Sequence, residues 1–112
     1  NLPPKPDVLA DLHSNADVVI AGIGDWGACS SGSLHDGITL ERQGIPTVSI
    51  ITDVFIPTAE AYKKVMGFSE FPYLSCEHPI SNASSEQLEE KAYLLAPKVE
   101  LLFIKGTLVW TV

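Results

Sequence analysis

Asp17-Val18-Val19-Ile20-Ala21-Gly22-Ile23-Gly24-Asp25-Trp26-Gly27-Ala28-Cys29-Ser30-Ser31-Gly32-Ser33 is the stretch that decides the fold. Its first six residues form a short, nearly continuous apolar run with several β-branched side chains. Such a run predicts a strand buried on both faces. Glycine and serine then dominate residues 24–33, which read as a loop. Residues 34–43 read as a helix, with Ser33 as its N-cap and Gly44 just past its end. A strand, a loop and a helix in that order open a parallel α/β unit.

The pattern continues outward in both directions. Upstream, residues 1–6 are too rich in proline for regular structure, and residues 7–13 suit a short helix with Val8, Leu9 and Leu12 as its apolar side. Downstream, residues 46–52 form a second β-branched run. Residues 58–66 read as a helix capped by Thr58 and stopped by Gly67, and residues 72–76 as a third strand. Residues 84–95 read as a helix with Ser84 and Gln87 spaced as a capping box, ended by Pro97. Residues 99–112 are apolar and extended, either a strand pair turned at Lys105-Gly106 or one last strand and a tail. The prediction is one domain over residues 1–112. Its fold class is α/β, a small three-layer fold with a mostly parallel sheet of three or four strands and right-handed crossovers, comparable to half of a Rossmann-like fold.

That topology locates the chemistry. In such sheets ligands bind outside the carboxyl ends of the strands. Those ends carry Asp25, Cys29, Ser30 and Ser31 after the first strand, Asp53 after the second, and Cys76 and His78 after the third. The opposite edge receives Lys5, Asn15, Gln43 and Ser69, which form no constellation.

Composition excludes some partners. A net charge of -7 argues against nucleic acid, whose phosphates need a basic face, and fits ordinary solubility. No apolar run approaches the length of about 18 residues that crosses a membrane. No secretion signal is visible in residues 1–6, so a cytoplasmic location is expected, with the two cysteines as free thiols. The apolar end at residues 101–112, including Trp110, predicts a homo-oligomer.

Two motifs compete for the first loop. Gly22-Ile23-Gly24-Asp25-Trp26-Gly27 matches G-x-G-x-x-G directly after a strand, with Asp53 placed to take ribose hydroxyls. This supports a nucleotide-binding module using Gly22, Gly24 and Gly27. Weighing against it, a helix beginning near Ser33 leaves the third glycine outside the helix, and Asp53 lies beyond the usual spacing. The plainer alternative is a tight strand-to-helix turn. The second motif is Gly27-Ala28-Cys29-Ser30-Ser31-Gly32-Ser33. Backbone amides before a helix favour negative charge, a thiolate included, so Cys29 is a candidate nucleophile. The same amides with Ser30, Ser31 and Ser33 suit a carboxylate, a phosphate or a developing oxyanion.

Other candidates are weighed beside plainer roles. Cys76 and His78 are further catalytic candidates, against a buried strand-end cysteine and a loop histidine bonded to backbone. Cys29, Cys76, His78 and Asp25 could alternatively form a metal site, although no zinc-type spacing is present, and no cofactor is identified. His35, beside Asp36, is read as orienting the loop at the start of the helix. Trp26 is read as a lid over the site or an interface residue.

Residues 24–36 and the following Leu40-Glu41-Arg42-Gln43-Gly44-Ile45-Pro46-Thr47-Val48 resemble the UGSC family. That family is named for a selenocysteine-Gly-Ser-Cys motif and is similar to the selenoprotein B component of glycine, sarcosine and betaine reductases. The likeness runs from about residue 17 to His78-Pro79. It implies that Cys29 is the family's second redox residue, and that His35-Asp36 and His78-Pro79 occupy further family positions. The family's first redox residue falls at Trp26, so the motif reads Trp-Gly-Ala-Cys. A tryptophan cannot attack carbon or form a selenenylsulfide, which leaves the Cys29 thiol. The resemblance implies a cysteine-dependent enzyme or reductase-like subunit acting on a small carboxylated or carbonyl substrate, with a redox partner protein. A nucleotide-binding module and a non-catalytic subunit are the alternatives.

Overall fold

Two β-branched runs and the short segment Tyr73–Cys76 become the three strands of one parallel sheet. The computed structural model describes residues 4–105. Their order is α1 (Pro6–Asn15), β1 (Val19–Gly24), α2 (Gly27–Arg42), β2 (Thr47–Thr52), a 3-10 turn (Asp53–Phe55), α3 (Ile56–Val65), β3 (Tyr73–Cys76) and α4 (Ser85–Lys105). β2 lies between its neighbours and pairs parallel with both, Val19 standing opposite Thr47 and Ser49 opposite Tyr73. The predicted α/β class with a parallel sheet is therefore the observed one.

Side-chain alternation along β2 builds both cores. Ile51 packs with Leu34 and Ile38 of α2, Ala59 of α3, and Phe71. Val48 and Ile50 point the other way, against Leu95, Val99, Leu102 and Phe103 of α4. The layers are thus α2 and α3 on one face, the sheet, and α4 on the other.

β2 is buried along its whole length, as a central parallel strand should be. β1 departs from the expectation of burial on both faces. It is an edge strand, and α4 packs over β2 and β3, so Ile20 stays 56% exposed and Ile23 49%. An apolar cleft of about 550 Å³ remains there, walled by Ile20, Ile23 and Ile50 of the sheet and by Val99, Phe103 and Ile104 of α4.

The largest correction concerns residues 24–33. They are not a loop, because α2 begins at Gly27, six residues ahead of Ser33. Trp26 is extended at the N-cap position and its carbonyl accepts the first helical bond, from Ser30 N–H at 2.8 Å. The serines do not break the helix because their hydroxyls bond carbonyls behind them: Ser31 to Gly27 at 3.2 Å and Ser30 to Gly24 at 3.2 Å. Their small size has a packing cause. A Cβ on Gly24 would lie 2.5 Å from the Ser30 Cα, so strand and helix approach backbone to backbone. Gly24, Ser30 and Ser33, which read as loop residues, belong to the contact surface of a helix pressed onto the sheet.

Smaller corrections have similar origins. Thr58 does not cap α3; the 3-10 turn starts the helix earlier, at Ile56, and Thr58 sits in its first turn. Gly44 and Gly67 do occupy the left-handed region, φ 88 and 71°, just past α2 and α3. The capping box of α4 forms as expected: Ser84 N–H donates to Gln87 Oε1 at 2.8 Å, and Gln87 N–H to Ser84 Oγ at 3.2 Å. Pro97 does not end that helix. It and Tyr93, whose carbonyl loses its partner, are exposed, so water can satisfy that carbonyl. The apolar stripe Leu95, Val99, Leu102 and Phe103 holds the next turns on the sheet. Residues 99–105 are accordingly helical rather than extended, and Leu102 is buried. The strand or tail expected over residues 106–112, Trp110 included, lies outside the described residues. Among the described residues, no helix is long and apolar enough to cross a membrane.

Candidate functional site

Parallel pairing delivers three strand ends to one edge. Asp25 follows β1, Thr52 ends β2 and Cys76 ends β3, with Asp53 and His78 just beyond. Asp25 is buried, and its Oδ2 accepts the N–H groups of Ile80 at 3.1 Å and Ser81 at 2.9 Å. Its Oδ1 stands 3.0 Å from His78 Nδ1. Thr52 Oγ1 is 2.9 Å from the same nitrogen and 3.3 Å from the Gly24 carbonyl, to which it donates. Asp53 Oδ1 accepts the His78 N–H at 3.2 Å, and the Phe55 ring meets the imidazole edge-on, 5.6 Å between centroids.

This cluster fixes one histidine from several sides. The Oδ1–Nδ1 approach is not a directed hydrogen bond, since Oδ1 has no hydrogen-bond partner among the described residues, and the carboxylate acts on the ring as a nearby negative charge. An ionised carboxylate that close favours a proton on Nδ1 and leaves the lone pair on Nε2, the state of a general base. Asp25 is held ionised. Burial alone would raise its pKa, but the Ser81 and Ile80 amides, with the Ser81 and Thr52 hydroxyls, outweigh burial and hold the carboxyl below its ordinary 3.8.

Cys76 lies on the α4 side of the sheet, half-buried, with Sγ 3.8 Å from the Ile51 carbonyl. Burial pushes its thiol pKa up; Lys91 opposes this, while Asp53 and Asp25 add to it. A protonated thiol is therefore favoured there. Beside it a cleft of about 620 Å³ opens between the end of β3 and α4, lined by Cys76, His78, Asn82, Gln87, Lys91 and Lys98.

Cys29 is the third residue of α2, half-buried, with no hydrogen bond on its thiol among the described residues. Its first-turn position puts it among N–H groups that a helix leaves without carbonyls of its own. Trp26 is 65% exposed at the head of the same helix. Ser30 and Ser33 are buried; the Ser30 hydroxyl is spent on Gly24, and the Ser33 carbonyl accepts Ser49 Oγ at 2.7 Å. Ser31 also bonds backward, to Gly27. His35 does not open the helix. It lies two turns in, 3.5 Å from Asp36, and about 9 Å along the axis from Cys29 at 1.5 Å per residue. Gly27 heads α2, so the third glycine of the G-x-G-x-x-G run is inside the helix, contrary to expectation. A Cβ there would meet nothing, and Gly22 lies exposed on β1.

The structure thus joins Asp25, Asp53 and His78 directly, with Cys76 at the next strand end, while Cys29 shares none of the contacts that hold His78. Sequence reasoning passes over Thr52 and Lys91. Thr52 sits at a strand terminus beside Asp53, a signal that is readable. Lys91 looks like any lysine on a solvated helix, and nothing local marks it. The alternative metal site is not assembled: among the described residues, no three histidine, cysteine or acidic side chains are placed to hold an ion.

No curated protein and no solved structure matches the chain. A family model described as UGSC family matches residues 1–104, which takes in all three strands, Asp25, Cys29, Cys76 and His78. The match spans nearly the whole chain, and the chain belongs to the UGSC family.

Proposed function

We propose that the chain is a cysteine-dependent enzyme, or a reductase-like subunit, that acts on a small carboxylated or carbonyl compound at the carboxyl edge of its sheet. The observation that carries this reading is the buried Asp25 carboxylate 3.0 Å from His78 Nδ1. The Ile80 and Ser81 amides account for burying Oδ2, whereas turning Oδ1 toward a half-exposed imidazole adds little stability. A proton-transferring group held in one tautomer gives the arrangement a purpose. Cys29, in the first turn of α2, supplies the nucleophile, and the amides around it stabilise negative charge on sulfur or on a substrate oxygen.

Labelling with iodoacetamide at pH 7, read by mass spectrometry, tests the reading. Cys29 in the native protein is expected to react about five-fold faster than free cysteine, the scale of about 1 kcal/mol at a helix N-terminus. Cys29→Ser should remove that product and leave the fold intact. A Cys29 that labels no faster than free cysteine, or only after unfolding, contradicts the nucleophile role.

A nucleotide-binding module is the second reading. It is favoured by Gly27 opening α2 directly, as a pyrophosphate site requires. Against it, the Asp53 carboxylate is already bonded to the His78 amide. A rise in melting temperature with added nucleotide distinguishes it from the enzyme reading.

A further inference from the structure

The α4 wall of the cleft beside Cys76 carries two lysines, Lys91 and Lys98, with one acid, Glu90, between the turns. Gln87, Lys91, Leu94 and Lys98 recur on one side of α4 and face the end of β3 across a volume of about 620 Å³. Lys91 is the distinctive member. Its side chain is only 19% exposed, and Nζ donates to the Glu77 carbonyl at 3.1 Å. The Glu77 carboxylate is 4.0 Å away and 84% exposed, so it is solvated and a weak partner. An ammonium has three donors, and among the described residues the Glu77 carbonyl is the one hydrogen-bond acceptor Lys91 has. A largely enclosed cation with donors to spare, lining a cleft with a thiol and an imidazole, is a place for an anion.

Resting on the reading that this edge handles a small carboxylated compound, we propose that Lys91 is its anion anchor. The substrate carboxylate docks on α4 beside Cys76 and His78, not at the N-terminus of α2. Glu77 and Glu90 also line the cleft, with Asp25 and Asp53 nearby, and they disfavour a second negative group. The ligand class is therefore a small monocarboxylate.

The test uses the full chain carrying Cys29→Ser, which leaves Cys76 as its one thiol. Iodoacetate and iodoacetamide have nearly the same shape, and each forms an Sγ–CH₂ bond and releases iodide. One carries a carboxylate and the other is neutral. The ratio of their rates cancels the thiolate fraction. At Cys76 the iodoacetate-to-iodoacetamide ratio is expected to exceed that of free cysteine by about ten-fold, the scale of one charge-assisted hydrogen bond. Lys91→Met should return it to the free-cysteine value. Should that variant fail to fold, millimolar acetate should slow iodoacetamide at Cys76 in the Cys29→Ser protein, and no slowing would count against the anchor. A ratio equal to that of free cysteine, a ratio that survives Lys91→Met, or a Cys76 that alkylates only on unfolding overturns the proposal. A high ratio at Cys76 beside a sluggish Cys29 in the parent protein would leave Lys91 standing and remove only the Cys29 nucleophile.

Discussion

Asp25→Ala is expected to destabilise the protein by roughly 2–5 kcal/mol, because two amides lose their shared acceptor and an imidazole loses the carboxylate beside it. The Ile80 and Ser81 N–H groups both donate to Oδ2, and each unpaired amide in a partly buried site costs about 1–3 kcal/mol. Asp25→Asn separates structure from chemistry. It keeps one acceptor oxygen, so its loss of stability is smaller, but it removes the charge that keeps the proton on His78 Nδ1. Under the proposed function, the Asn variant should therefore lose activity out of proportion to its stability. The pH dependence follows from the sign of the shift. The folded pKa of Asp25 lies below 3.8, so its contribution is complete above 3.8 and fades as pH falls through the folded value. Urea denaturation at several pH values should show the gap between parent and Asn variant closing in acid; a gap independent of pH would contradict the assignment.

Gly37→Ala is expected to destabilise by about 2 kcal/mol even though alanine is the better helix former. In mid-helix the substitution alone gains about 1 kcal/mol. Here the new Cβ would overlap Ser49 Oγ and lie 2.7 Å from Phe71 Cζ. Neither neighbour yields easily. Ser49 Oγ is bonded to the Ser33 carbonyl, and the Phe71 ring is buried edge-on against Phe68, 5.4 Å between centroids. Overpacking of this kind costs about 1–3 kcal/mol or more, and with backbone-linked neighbours the upper part of that range applies. Gly27→Ala is the control, since a Cβ there meets open space and should be neutral or slightly stabilising. Thermal or chemical denaturation of the two variants checks the contrast.

What is legible in the sequence follows from the range of the forces involved. The β-branched runs, the two left-handed glycines and the Ser84–Gln87 box depend on nearby residues, and they are readable. The parallel sheet follows from the alternation, and with it the gathering of Asp25, Asp53, Cys76 and His78 at one edge. The start of α2 is not readable, because Gly24, Ser30 and Gly37 are small for a reason that lies in another element. Pro97 reads as a stop, wrongly, because the stripe holding α4 to β2 acts across the sheet. The exposed face of β1 cannot be foreseen without knowing where α4 packs. His78 and Asp25 each stand out as candidates, but their contact depends on the path of the chain between Cys76 and Ser81.

The most direct test of the carboxyl-edge site is an amide NMR titration of the intact chain with acetate, a minimal monocarboxylate. Saturable shifts are expected at Cys76 and Lys91, and at Ile80 and Ser81 beside Asp25. No saturable shifts, or shifts gathered at the opposite edge around Lys5, Asn15 and Gln43, would contradict a small-carboxylate site at the carboxyl edge.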